Sequence, residues 1–372
     1  MQKLLRTSFF ALFAFVLAAG MAAAPAQAQD DIYVDDSDGS DNQPGTPTQP
    51  LRSIQAAVSQ ADEDGDRIIV RGGDFTINSG SPTVSNGITI EFVDAADGAT
   101  TVEFDEGFTF DPGSGATVDI VANGATLNLT DSSDPIELAS GDVNIDASST
   151  VTLPDGVTIT RADGQVTGAA PTFGENLNLN YEPSGEVSAG LVLPSDGNLG
   201  SGDLNVRSGT VTFDQSVTAT QFGLSDGASA DFGANDLTVD AASGDGAGTE
   251  GGDITVAANS ALTVNGTLMT STDDAALAVD GEYTGGDVTL GSIASASDVV
   301  SGSGTVDIGT LTVTGEGSPD ALNTEINAGG DFTISEVAVD LTEDSDPGDQ
   351  ILVNLNAPTS NSALEVTSGD EI

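Results

Sequence analysis

The feature that most constrains this chain is a short unit, apolar-x-apolar, recurring along almost its whole length with turn residues between the copies. In the first half it reads Ile88-Thr89-Ile90, Val102-Glu103-Phe104, Phe108-Thr109-Phe110, Val118-Asp119-Ile120, Leu127-Asn128-Leu129, Ile136-Glu137-Leu138, Val143-Asn144-Ile145, Val151-Thr152-Leu153 and Val157-Thr158-Ile159. The second half continues with Leu204-Asn205-Val206, Val211-Thr212-Phe213, Leu237-Thr238-Val239, Leu262-Thr263-Val264, Val288-Thr289-Leu290 and Leu311-Thr312-Val313, among others. A strand turns successive side chains to opposite faces, so each unit is a short strand with two residues inward and one outward. Gly, Asp, Ser and Asn fill the gaps, as tight turns require. Three successive units between Val118 and Val157 take 21 to 25 residues. That spacing predicts three-sided coils, roughly 13 of them, in a rod of about 60 Å at ~4.8 Å per coil. An antiparallel sandwich also has short strands, but of about 5–6 residues. The predicted fold class is therefore all-β: a right-handed parallel β-helix.

A solenoid exposes its first coil, and the chain has a segment suited to covering it. Leu51, Ile54, Ala57, Val58 and Ala61 recur at helical spacing, after Pro50 and Ser53 and before the Asp62–Gly65 turn. This predicts a capping helix of about three turns, marginal alone and stabilised by burial. The surrounding stretch carries Ile32, Tyr33, Val34, Gly39, Asp41, Pro44, Gly45, Thr46, Pro50, Ile54, Ala57, Val58, Gly65, Asp66, Ile68, Val70 and Gly73. That pattern resembles the N-terminal opening of secreted right-handed parallel β-helix proteins of the pectate-lyase-like group. Ser53 stands where that group usually has Thr, and Phe75 where it has Tyr. The resemblance covers about 45 of the 372 residues and implies architecture rather than chemistry. Later units, such as Gly209-Thr210-Val211-Thr212-Phe213 and Ala261-Leu262-Thr263-Val264-Asn265-Gly266, resemble repeats of bacterial adhesin-type surface proteins.

Ahead of this stretch lie Lys3 and Arg6, an apolar run from Phe9 to Ala19, and Ala26-Gln27-Ala28. These are the three regions of a secretory signal peptide, with cleavage before Gln29. The apolar run is too short to span a bilayer, which takes about 20 residues. The expected organisation is signal peptide 1–28, opening strand with acidic turn and capping helix 29–66, β-helix coils 67–170, and further coils 171–372. The composition shift near 165–200 is either a junction between two solenoid segments or an irregular coil. Gly244 to Gly252 reads as a protruding turn. The chain's last residues show no capping helix, so the final coil is expected to be exposed or covered by a partner.

Cleavage would leave five arginines, no lysine, no histidine and all 59 carboxylates. Such a charge repels nucleic acid and anionic membrane surfaces. It also opposes compaction unless salt or cations screen it. The composition resembles that of proteins from hypersaline habitats. Cysteine is absent, so an exported fold must rest on its core.

The missing residue types also restrict chemistry. Without His or Cys there is no Ser-His-Asp or Cys-His arrangement, and no His- or Cys-ligated metal. The pectate-lyase-like group includes lyases that use carboxylate-held Ca²⁺ and a basic residue. Here only Arg52, Arg67, Arg71, Arg161 and Arg207 are available, and Arg161 and Arg207 are expected to pair with carboxylates on neighbouring coils. No catalytic residue is assigned. Ca²⁺ is the one candidate cofactor, with Asp36, Asp38 and Asp41 in the first acidic turn and Asp344, Asp346 and Asp349 in the last. The leading functional reading is a non-enzymatic exported protein, structural or adhesive, with cell-envelope or extracellular-matrix partners. The alternative is a polysaccharide lyase or hydrolase, or its degenerate relative. A third is an ice- or surface-binding solenoid, since Thr is the commonest outward residue.

Overall fold

The computed structural model describes residues 29–71, 74–77, 82–93, 99–104, 107–122, 126–130, 135–225, 227–239, 254–257, 259–270, 277–290, 297–316, 322–328, 332–342 and 351–355. The expected signal peptide, the Gly244–Gly252 turn, the acidic run 343–349 and the chain's last residues lie outside them.

The units stack as strands of a parallel β-solenoid. One wall is a 12-stranded sheet built from one strand per coil, from Thr83–Val84 to Ile351–Leu355. Neighbours in it pair in parallel, as in Ile136↔Ile159 and Leu179↔Leu204. The offset between rungs runs from 18 residues, Asp203↔Gln221, to 32, Phe222↔Ile254. The range is wider than the expected 21–25 because loops of different length leave the corners while the strands stay in register. Inward and outward residues alternate as the units require: Ile136 and Leu138 are buried around Glu137, and Leu237 and Val239 around Thr238. The buried residues form one continuous apolar core.

At the N-terminal end the helix Ile54–Gln60 lies against the first strands. It starts at Ser53, whose backbone is extended and whose side-chain oxygen accepts the Ala56 N–H at 3.1 Å. Ile54, Ala57 and Val58 are buried beneath it. It has seven residues, two turns rather than the three expected, because Ala61 leaves the helical conformation (φ −75°, ψ 79°).

Two walls change part-way along. A six-stranded sheet, begun by Asp31–Asp35, ends on Gln165–Gly168. A four-stranded sheet ends on Thr150–Thr152, followed only by the bridge Thr152↔Thr172. A nine-stranded sheet then begins at Glu186–Ser188. The 12-stranded wall passes through this change unbroken. Just beyond it, aromatic rings fill the interior: Phe213 stacks on Phe232 at 4.2 Å, with Tyr181 edge-on to Phe213 at 5.8 Å.

The later strands depart from the three-residue unit. Ala261–Thr270, Glu282–Leu290, Thr305–Glu316 and Phe332–Thr342 each run across two faces. Glycine stands at the bend in the first three, and Ser335 in Phe332–Thr342. A Cβ on Gly286 would lie 2.7 Å from the Asn265 carbonyl oxygen of the rung below, so at that rung glycine lets the strand turn the corner at pairing distance. Two neighbouring units in the sequence are thus one bent strand.

Candidate functional site

The first acidic turn is built into the cap. Asp35 accepts hydrogen bonds from Ser37 N at 3.0 Å, Ser37 Oγ at 2.9 Å and Asp38 N at 3.0 Å. Burial pushes its carboxyl up, but the bonds from Asp38 and Ser37 outweigh this and hold it below the usual value. Asp41 Oδ1 accepts from Arg52 N at 2.9 Å and Ser53 N at 2.8 Å, tying the turn to the start of the helix. Gly39 closes the turn: a Cβ there would fall 2.2 Å from the Leu51 carbonyl oxygen. Among the described residues no group of three acidic side chains is drawn together; Asp36, Asp38 and Asp41 lie in the turn between the opening strand and the helix, with Asp41 tied to the helix start. Asp344, Asp346 and Asp349 lie outside the described residues.

Four of the five arginines among the described residues hold structure through their side chains, while Arg52 is exposed. Arg67 bridges strands, donating from Nε to Glu91 at 2.7 Å and lying 3.6 Å from Asp31. Arg71 sits 4.5 Å over the Tyr33 ring. Arg207 pairs with Glu182 at 2.9 Å, one rung away, as expected. Arg161 differs from expectation. It is buried and meets no carboxylate; its Nε donates to Gly164 O at 2.7 Å and its NH1 to the carbonyl oxygens of Ser188 and Ala189. Burial lowers its pKa. Ser188 ends the first strand of the new sheet and Gly164 precedes the last strand of the old one. The guanidinium therefore supplies hydrogen bonds where the strand ladder is interrupted.

Several outward acids staple one coil to the next. Asp64 accepts from Gly87 N at 2.9 Å, Asp155 from Asn176 N at 2.8 Å, and Asp236 from Thr267 N at 2.7 Å. Asp163 takes both Ser184 N and Ser184 Oγ, and Asp280 both Ser303 N and Ser303 Oγ. Those serine bonds hold the Asp163 and Asp280 carboxyls below the usual range. Each staple satisfies a backbone N–H one coil further on, at a corner where the ladder supplies no partner.

One surface groove, of about 550 Å³, opens where the walls change. Pro171, Phe173 and Pro194 form its apolar side, with Glu175, Asp196 and Asn198 on the rim. These residues were not singled out by motif; the composition shift at 165–200 was the only sequence signal. No arginine is among the described residues that line it, and the Arg161 guanidinium, earlier in the sequence, is held by carbonyls inside the wall. No family model, curated protein or solved structure matches this chain.

Proposed function

We propose that this is an exported, non-enzymatic β-helical protein that works as a structural or adhesive element at or beyond the cell surface, in concentrated salt. The observation that carries the reading is the use of its carboxylates. Asp64, Asp155, Asp163, Asp236 and Asp280 each fasten one coil to the next. These carboxylates serve to hold the coils together, which supports a structural role. The leader-like residues 1–28 and the pectate-lyase-like opening stretch support export; the adhesin-like repeats support a surface role. Incubating the purified protein with the native cell envelope, followed by pull-down, should retain it on an envelope or matrix component.

The groove with Glu175 and Asp196 favours a second reading, a polysaccharide-active enzyme or a degenerate relative. Turnover of an acidic polysaccharide, with or without Ca²⁺, would establish that reading and remove the first.

A further inference from the structure

Between the capping helix and the change of walls, the solenoid interior holds a partly open cavity of about 100 Å³. Ile54 of the helix lines one end and Val192 the other; Val143, Ile145, Val151 and Ile159 belong to the coil between. Every described side chain that lines it is apolar. Beyond the change, stacked rings fill the interior, whereas Val143, Ile145, Val151, Leu153 and Ile159 line the cavity with aliphatic side chains alone. Water in such a cavity finds no hydrogen-bond partner, so it stays dry, and its walls lack dispersion contacts on one side. A small uncharged apolar molecule would restore those contacts without desolvating any polar group.

The cavity also has a place for such a molecule to pass. Pro171 lines both the cavity and the outer groove. The wall there is held by the single bridge Thr152↔Thr172 rather than a full ladder. Glu175 and Asp196 on the groove rim would repel anions.

We propose that this lumen binds one small, uncharged apolar molecule, of the size class of xenon, benzene or a short alkane, admitted beside Pro171. The test uses the full chain, with dissolved ¹²⁹Xe followed by NMR and benzene followed by thermal unfolding. A bound-xenon shift and a benzene-dependent rise in unfolding temperature are expected. The filling variant Val143→Ile/Val151→Ile should bind benzene at least tenfold more weakly while unfolding at the same or a higher temperature. The enlarging variant Ile145→Val should bind it at least as tightly as the parent. Absence of both signals in the parent overturns the proposal, as does undiminished binding by the filled variant. Loss of stability in the filled variant also overturns it, because the added methyl groups would then have had no space to enter.

Discussion

Replacing Arg161 by Met tests the account of the wall change most directly. Methionine keeps an unbranched apolar stem and removes the guanidinium, so the charge leaves with its donors and no unpaired ion remains. The Gly164 and Ser188 carbonyl oxygens lose their Arg161 donor. Ala189 O keeps a weaker bond from the Tyr181 hydroxyl at 3.3 Å. A buried acceptor without a partner costs about 1–3 kcal/mol, and a hydrogen bond to a charged group contributes about 1.5–3 kcal/mol. Ser188 is exposed, so water replaces part of its loss; relief of the buried charge offsets more. The net destabilisation should be about 2–4 kcal/mol. Long repeat arrays need not unfold as one unit, so a single midpoint would blur the effect. Amide hydrogen exchange read by mass spectrometry resolves it. Peptides covering 177–212 should exchange about 30- to 1,000-fold faster, at tenfold per 1.4 kcal/mol, while those covering 67–93 change little. Arg161→Lys should not rescue, since one ammonium on a shorter reach cannot serve Gly164 and the Ser188–Ala189 pair together. Protection within twofold of the parent in Arg161→Met would refute the reasoning.

The unfolding temperature should rise steeply with NaCl between 0.01 and 2 M, because outward carboxylates on adjacent coils lie well within the Debye length of about 30 Å at 0.01 M and outside that of about 3 Å at 1 M; a flat profile by circular dichroism would remove the salt-adaptation reading. Millimolar Ca²⁺ should substitute only in part for molar NaCl, and full recovery by Ca²⁺ alone, reversed by chelator, would show a genuine site. Ser303→Ala should raise the Asp280 carboxyl toward its ordinary 3.8, seen by carboxyl ¹³C NMR titration, since one of its two donors is lost. The sign follows from the depressed value: the Asp280 staple contributes fully above pH 3.8 and is lost as pH falls through the lower folded-state value. Gly286→Ala should cost about 1–3 kcal/mol in urea unfolding, because its Cβ would press on a backbone oxygen that cannot move without breaking the rung.

The solenoid was legible because its determinant is local. Ile136-Glu137-Leu138 states its inward and outward faces in three residues, and parallel stacking repeats that statement coil after coil. The cap was legible for the same reason, from Ser53 and the spacing of Ile54, Ala57 and Val58. What stayed hidden depends on partners far along the chain. Asp41 reads as a candidate Ca²⁺ ligand in its acidic run, and its tie to the helix start appears only when Arg52 and Ser53 fold back onto it. Arg161 and Arg207 each come just after an apolar-x-apolar unit, yet one turns inward to carbonyls 27 and 28 residues away and the other outward to Glu182. The groove residues share no motif because the groove is a gap between two wall types. The fusion of Leu262-Thr263-Val264 and Leu268 into one bent strand also carries no signature beyond Gly266, since glycine marks turns and continuous corners alike.

The bent strands leave the molecule's length free to vary. In the later half, Glu282 pairs one rung back with Ala261 and one rung on with Thr305, each contact repeating the geometry of the last. Duplicating or deleting one such coil would leave every remaining strand a neighbour of the same shape and every glycine at a corner. The stretch from Arg161 to Ala189 has no such tolerance, because its bonds span a fixed count of residues between unlike walls. Lineages carrying this architecture should therefore differ in reach by whole coils gained or lost after Ala261, while the wall change keeps its spacing.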